Sequence, residues 1–350
     1  MDIESIRYYG LTKEFSKADY FETENYQTLL SNIKFAIKSG GLIAITGVVG
    51  IGKTQTLRRL QQDLRDENKV LVSKSLATDK RHVNINTLYT ALFTDLATKK
   101  DDTLPTQPEK RERKLQSLIK ERNKPIALFI DEAHDLHPRT LISLKHLVET
   151  VEDVNGSLAV IAVGHPKLAN DLRNPALEEI GARAKLFELG SFGINSPKFI
   201  EWLINDCRGK TDNTEAILTK EAIELFAERL TTPLQITYYL TRALEKGHQI
   251  GERPISVETV KAVLSPELDS LEPNLARHGY NLSALCDYLN VRRHEARAYL
   301  RGELTPSRFE ELNKEIHKLG VVLIVVQKNM IIYSVMAVAN KVAEVIYKII

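Results

Sequence analysis

The segment Gly47-Val48-Val49-Gly50-Ile51-Gly52-Lys53-Thr54 constrains this chain more than any other. It matches G-x-x-x-x-G-K-[ST], and its flanks give the context that such a match needs. Before it, residues 41–46 are apolar and rich in β-branched side chains, as in a buried parallel strand. After it, residues 55–64 place leucines at helical spacing. Strand, glycine-rich turn and helix N-terminus together make an anion cradle, with backbone N–H groups pointing inward and the helix dipole adding positive charge. Gly47, Val48, Val49, Gly50, Ile51, Gly52, Lys53, Thr54 and Gln55 are therefore the expected phosphate-binding residues. Lys53 would neutralise phosphate charge, and the Thr54 hydroxyl would ligate Mg²⁺. The competing reading is an ordinary turn that matches by chance.

A second apolar run, residues 125–130, ends in Asp131-Glu132-Ala133-His134. Carboxylates at the C-terminal edge of a parallel sheet stand where α/β folds bind ligands. Asp131 is expected to hold Mg²⁺ through water, and Glu132 to polarise the water that attacks the phosphate. The alternative is a cap for the next helix. With the phosphate loop upstream, the pair predicts an α/β nucleotide-binding domain with a parallel sheet, and nucleotide hydrolysis as its chemistry.

The remaining strands are expected at 70–73, 157–163 and 185–189, and helices at 21–37, 87–97, 109–122 and 138–151. Short helical pieces fall at 168–172 and 175–182, and residues 99–107, with Pro108 just beyond, read as loop. Glu22 and Tyr26 are candidates for the base end of the nucleotide, or for plain packing. Lys74, Lys80 and Arg81, in the basic stretch after the second strand in chain order, could touch DNA phosphates or simply be solvated. His165, at the end of the 157–163 strand, would stand between the phosphate loop and the acidic pair as a γ-phosphate sensor, or only cap the strand. Arg183, and after it Arg173, precede the last strand and could reach a neighbouring subunit's nucleotide.

From residue 196 the strands stop, and helical periodicity runs through 198–207, 220–229, 233–246 and 256–263. The expected organisation is a lead-in at 1–40, a nucleotide-binding domain at 41–195, a helical lid at 196–267, and a linker, helical module and apolar tail at 268–350. In the module, Leu282, Leu285 and Leu289 form one apolar face and Asn290 can take the left-handed conformation that ends a helix. The second helix returns Ala296, Tyr299 and Leu300 to the core and leaves Arg292, Arg293, His294, Arg297 and Arg301 outside. That spacing fits a helix-turn-helix with a basic second helix suited to DNA, with protein binding as the alternative.

The charge balance over 350 residues is only +2, so any nucleic-acid contact must come from local patches. Two cysteines, Cys207 and Cys286, have no metal or disulfide spacing and point to a reducing cytoplasm. The acidic start reads as no signal peptide. The apolar runs at 320–326 and 330–339 fall short of a membrane span, so no membrane is expected as a partner.

Tyr9-Gly-Leu, the phosphate loop, Phe129-Ile-Asp-Glu-Ala-His134, Val163-Gly-His-Pro-Lys-Leu168 and Thr232-Pro-Leu-Gln-Ile236 together resemble the AAA+ ATPases. More narrowly, residues 6–265 resemble the group that holds the ExeA-type ATPases and the transposition regulators TnsC and MuB. The resemblance implies ATP and Mg²⁺ as cofactors, with Lys53, Thr54, Asp131 and Glu132 binding and hydrolysing ATP. It further implies His165 as a sensor, Arg183 or Arg173 as a contact in trans, and a homo-oligomer, ring or helical filament, around or along duplex DNA. Many such proteins carry a sensor arginine after the lid proline, whereas here Pro233 is followed by Leu234 and Gln235. That departure implies slow or partner-controlled hydrolysis. ExeA-type secretion ATPases continue into a membrane anchor; this chain continues into the helix pair, which favours the transposition branch and a transposase partner. The alternative is an ATPase of secretion assembly acting without DNA.

Overall fold

The computed structural model describes residues 1–74, 84–97, 104–191, 193–208, 216–265, 268 and 270–321. Lys80 and Arg81, and the apolar tail from 322, lie outside the described residues. The chain divides into two compact units, Met1–Leu264 and Ser265–Ile350.

Five parallel strands form the sheet of the first unit: β1 (Gly41–Thr46), β2 (Leu71–Lys74), β3 (Ile126–Ile130), β4 (Leu158–Gly164) and β5 (Lys185–Glu188). Their spatial order is β2-β3-β4-β1-β5. Every strand expected from the sequence is present. Two-residue alternation divides their side chains between two cores. Leu42, Ala44, Leu128 and Val160 face one side, and Ile43, Ile45, Phe129 and Ile161 face the other. With both faces apolar, the sheet needs helices on each.

The helices of this part are α1 (Ile3–Tyr8), α2 (Glu24–Ser39), α3 (Lys53–Glu67), α4 (Ile85–Leu96), α5 (Pro108–Arg122), α6 (Pro138–Glu152), α7 (Pro166–Leu172) and α8 (Glu178–Gly181). Helices α2 and α3 cover one face through Ile33, Ile37, Leu57 and Leu60, and α4 to α7 cover the other through residues such as Leu92, Leu115, Leu144 and Leu168. Each such buried aliphatic side chain contributes about 1.5–3 kcal/mol. Pro108 proves to be the first residue of α5 rather than part of the preceding loop. The first helical position makes no intrahelical N–H bond, so proline fits there without loss.

Four more helices complete the unit: α9 (Ser196–Cys207), α10 (Lys220–Arg229), α11 (Pro233–Ile250) and α12 (Val257–Val263). The first residues of the chain join these helices rather than the sheet. Tyr9 is fully buried, and its hydroxyl donates to the Glu252 carbonyl at 3.0 Å, just past the end of α11. Leu11 bridges to Arg208, and the Thr12 N–H donates to the Cys207 carbonyl at 2.8 Å, closing the start of the chain onto α9. Gly247 lets these parts meet, since a Cβ there would lie 2.0 Å from Ile255 Cδ1 and 2.5 Å from the Tyr9 hydroxyl.

The second unit holds α13 (Leu271–Arg277), α14 (Leu282–Leu289), α15 (Arg293–Arg301) and α16 (Pro306–Lys318). Residues 268–279, which read in the sequence as a linker containing Pro273, are mostly α13, and it sends Leu275 into the core. Pro273 is accommodated because it falls in the helix's first turn, where no N–H partner is lost. Asn290 ends α14 at φ 52°, ψ 44°, the left-handed conformation expected of it. Ala296 and Tyr299 are buried with Leu285, Phe309 and Ile316.

Candidate nucleotide-binding site

The strand order sets the site. Strand β4 runs between β1 and β3, and all three point their C-terminal ends the same way. The phosphate loop leaves β1, Asp131 and Glu132 leave β3, and His165 follows β4. Three sequence-distant segments thereby share one edge of the sheet, where α/β folds bind ligands.

Two backbone conformations shape the loop. Gly50 has φ +81° and Gly52 φ +104°, values that a side chain would strain. Gly52 is the N-cap of α3, so the first free N–H groups of a 15-residue helix face the loop. Lys53 lies inside, 7% exposed, and its ammonium donates to the carbonyls of Gly47 at 2.9 Å and Val48 at 3.1 Å. Burial pushes its pKa down, while the charges of Glu132 and Asp131 pull it back up. Thr54 and Gln55 are exposed at the start of the helix, and the Gln55 carbonyl accepts from the Tyr20 hydroxyl.

Thr54 Oγ1 lies 3.5 Å from Asp131 Oδ2, while Asp131 Oδ1 accepts the Glu132 N–H at 3.0 Å. A hydroxyl and a carboxylate this close are hard oxygen donors that could share one Mg²⁺ ion, with water completing the octahedron. Glu132 sits at φ 56°, ψ 38°, a left-handed conformation rare outside glycine and asparagine. Such strain costs about 1–3 kcal/mol and is held only where the surroundings enforce it.

Two histidines flank that glutamate. His134 Nδ1 and His165 Nε2 each stand 3.4 Å from Glu132 Oε2, and the two rings are 3.9 Å apart between centroids. Burial, and then the proximity of His165, lower the His134 pKa to about 4. The sequence singled out His165 and quoted His134 only as part of a motif; what it lacked was the distance between β3 and β4. The signal was the residue itself, two places after the glutamate.

Val49, Gly50, Ile51, Gly52, Lys53, Thr54, Gln55, Glu132 and His165 line one cleft of about 890 Å³. Its other end is apolar and aromatic. Phe21 packs edge-on to Phe199 at 5.4 Å and against Trp202 at 5.3 Å, with Tyr20 and Tyr26 beside them. Tyr26 thus reaches the cleft, and its hydroxyl donates to Thr56 at 3.0 Å, whereas Glu22 pairs with Arg59 at 3.3 Å and does not line it. Trp202 and Phe199 carry no motif and come from α9, so nothing local in the sequence marks them. Leu234, at the start of α11, closes the cleft over the loop, and its N–H donates to the Gly50 carbonyl at 3.2 Å.

Within the first unit, Arg183, Arg173 and Lys74 do not line the cleft. Arg183 is 69% exposed, with Nη1 3.4 Å from Glu149 Oε1, beside a separate groove that includes Ile142, Lys145 and Leu177. Arg173 is exposed at the end of α7. Lys74 is exposed at the end of β2. Arg292, Arg293 and Arg297, with His294 and Arg301, are all exposed along α15 and the residue before it. No described helix is long and apolar enough to cross a membrane.

Residues 36–172 match the model of a family described as AAA domain. A 171-residue stretch is 26% identical to general secretion pathway protein A of Aeromonas hydrophila, covering 47% of this chain and 29% of that protein. The chain thus spans less than a third of the length of this curated relative. The fold is similar to that of the crystal structure of Cdc6p from Pyrobaculum aerophilum, with a TM-score of 0.52 at 15% identity, over 93% of this chain and 92% of that one. It is also similar to the structure of Drosophila ORC bound to DNA, with a TM-score of 0.50 at 16% identity, over 90% and 83% of the two chains. At these identities the likeness is one of fold. A phosphate loop and an acidic strand end share one edge of a five-stranded parallel sheet, and the 36–172 match to the AAA domain family covers both, within a fold similar to those of the Cdc6p and ORC structures.

Proposed function

We propose that this chain is a Mg²⁺-dependent ATPase that assembles as a homo-oligomer on duplex DNA and presents it to a transposase, with hydrolysis releasing the assembly. The observation that carries the ATPase reading is the single cleft lined by Lys53, Thr54, Glu132 and His165, with Asp131 beside Thr54. AAA+ domains are generally nucleotide-hydrolysing, and the residue types here suit that chemistry.

In this reading the free N–H groups at the start of α3 and the Lys53 ammonium hold the phosphates. Thr54 and Asp131 hold Mg²⁺, which when bound offsets phosphate charge. Glu132 orients a water and takes its proton, and catalysis is chiefly positioning and charge stabilisation. His165 reports on the γ-phosphate from its place beside Glu132. Arg183, or Arg173, serves a neighbouring subunit's nucleotide in the oligomer, as its exposure allows. Leu234, in the place of a sensor arginine, leaves hydrolysis slow unless a partner assists.

DNA contact rests on the exposed guanidinium groups of Arg292, Arg293 and Arg297, with Lys74, Lys80 and Arg81 as a second basic stretch of sequence. The transposase partner rests on the motif resemblance, and so does a cytoplasmic location. Identity to a general secretion pathway protein favours a second reading, an ATPase of secretion assembly that works without DNA.

One experiment separates them. ATP turnover is measured with and without random-sequence duplex DNA, with Lys53→Ala as the blank, and particles formed with a non-hydrolysable analogue are imaged. Turnover and oligomers that both depend on DNA support the DNA reading. If DNA changes neither, that reading fails and the secretion reading takes its place.

A further inference from the structure

The geometry points to Glu132, His134 and His165 as a binding site for a divalent transition-metal ion of the zinc class, separate from the Thr54–Asp131 pair. One donor atom from each of Glu132, His134 and His165 lies within 4.8 Å of the other two. The glutamate oxygen is 3.4 Å from each imidazole nitrogen. Zinc bonds of about 2.0–2.1 Å to nitrogen and oxygen set neighbouring ligands of a tetrahedron about 3.4 Å apart. Two edges of the site already have that length.

The donor chemistry selects the metal. Two imidazoles and one carboxylate suit zinc, cobalt or nickel, whereas magnesium takes oxygen donors and keeps its waters. Three protein ligands leave a fourth position for water, and Glu132 and His165 both line the open cleft through which an ion would enter. Asp135 Oδ1 lies 3.9 Å from His134 Nε2, the ring nitrogen away from the site, and an ion on His134 Nδ1 would displace the long 3.5 Å bond that this nitrogen accepts from the His165 N–H. His165 Nδ1 is buried and makes no hydrogen bond among the described residues, so no competing bond turns that ring out of the site.

An ion held here occupies the Glu132 carboxylate. Hydrolysis then stops while nucleotide still binds the phosphate loop; this consequence, unlike the metal binding itself, rests on the role proposed for Glu132.

The test uses the full chain without nucleotide. Co²⁺ is titrated in and the visible d–d absorption recorded, then Zn²⁺ is added as competitor. The expected result is an intense band of tetrahedral type that saturates at one equivalent and is displaced by Zn²⁺. Thr54→Ala retains it, while His134→Gln and His165→Gln weaken binding by more than about tenfold. Circular dichroism checks that the variants fold, and Glu132→Ala serves as a third ligand deletion. No saturable band in the wild-type chain, or a band undiminished in the folded ligand variants, overturns the site whatever the variants' stability. ATP turnover is read separately, on protein given Mg²⁺ and no transition metal. Cobalt binding without any turnover leaves the site standing and sinks the ATPase reading; turnover without cobalt binding does the reverse.

Discussion

Leu234 rests directly on Gly50: a Cβ added at position 50 would come 2.6 Å from the leucine Cβ and 3.1 Å from Cδ2. The start of α11 therefore sits against the bend of the phosphate loop, and the side chain at 234 is 58% exposed toward the cleft. Replacing it by arginine brings a cation close to where triphosphate charge accumulates. Leu234→Arg is expected to tighten binding of a non-hydrolysable ATP analogue several-fold, by about 1 kcal/mol, the attraction of charges about 4 Å apart with water between them. Fluorescent-nucleotide titration checks it, and unchanged affinity would show that this position does not face the phosphates.

Glu132 and Lys53 should separate binding from turnover. Glu132→Gln keeps the loop intact and removes the proposed base, so analogue affinity should hold while kcat falls about 10²–10⁴-fold. Lys53→Ala should lose both. Equal loss of affinity in the two variants would deny Glu132 a role in the chemical step.

His134 makes stability depend on pH. Its imidazole stays neutral down to about 4 in the fold, while in the unfolded chain it takes a proton near the ordinary value of 6.5. Between those values the unfolded state binds more protons, so stability is complete above about pH 6.5 and declines as the pH falls toward 4. The loss is on the order of 1–3 kcal/mol, since each pKa unit is worth about 1.4 kcal/mol before screening through the partly open cleft. Urea melts at pH 7.5 and 5.0 measure it. His134→Gln should flatten the difference, and an equal decline in both proteins would place the titrating group elsewhere.

Gly247 is expected to be the most sensitive position on α11. Alanine there forces a methyl group into Ile255 and the Tyr9 hydroxyl, overpacking worth about 1–3 kcal/mol or more. Tyr9→Phe removes the bond to the Glu252 carbonyl and should cost about 1 kcal/mol. Thermal melts of the two variants rank them, and a Gly247→Ala protein that melts with the wild type would mean that the start of the chain does not dock on α11 in solution.

Arg297→Ala should weaken binding of random-sequence duplex DNA and lower the slope of log affinity against log salt by about one. A slope that does not move would take α15 out of the DNA interface.

Much of this could be read from the sequence because the signals are local. The β-branched runs of β1, β3 and β4 and their alternation fix the sheet and its two apolar faces, and the glycines of the loop and the carboxylates after β3 fix one edge of it. Proline misled twice, at Pro108 and Pro273, since the first turn of a helix accepts a residue that its interior rejects. The six-residue α1 is too short to show a helical period. The walls of the cleft were invisible for another reason. Phe21 meets Trp202 and Leu234 meets Gly50 only because helices α9 and α11 fold back onto the loop, and His134 meets His165 because the sheet sets β3 beside β4.

Helix α11 is 18 residues long, with its first turn against Gly50 and its last beside Tyr9 and Glu252. At 1.5 Å per residue that is a rod of roughly 27 Å, pivoted where phosphate would bind. A tilt of ~10° at the pivot carries the far end about 5 Å, close to one helical turn. A nucleotide-dependent displacement too small to disturb the loop's own hydrogen bonds would thus arrive, amplified, at the segment that begins the chain.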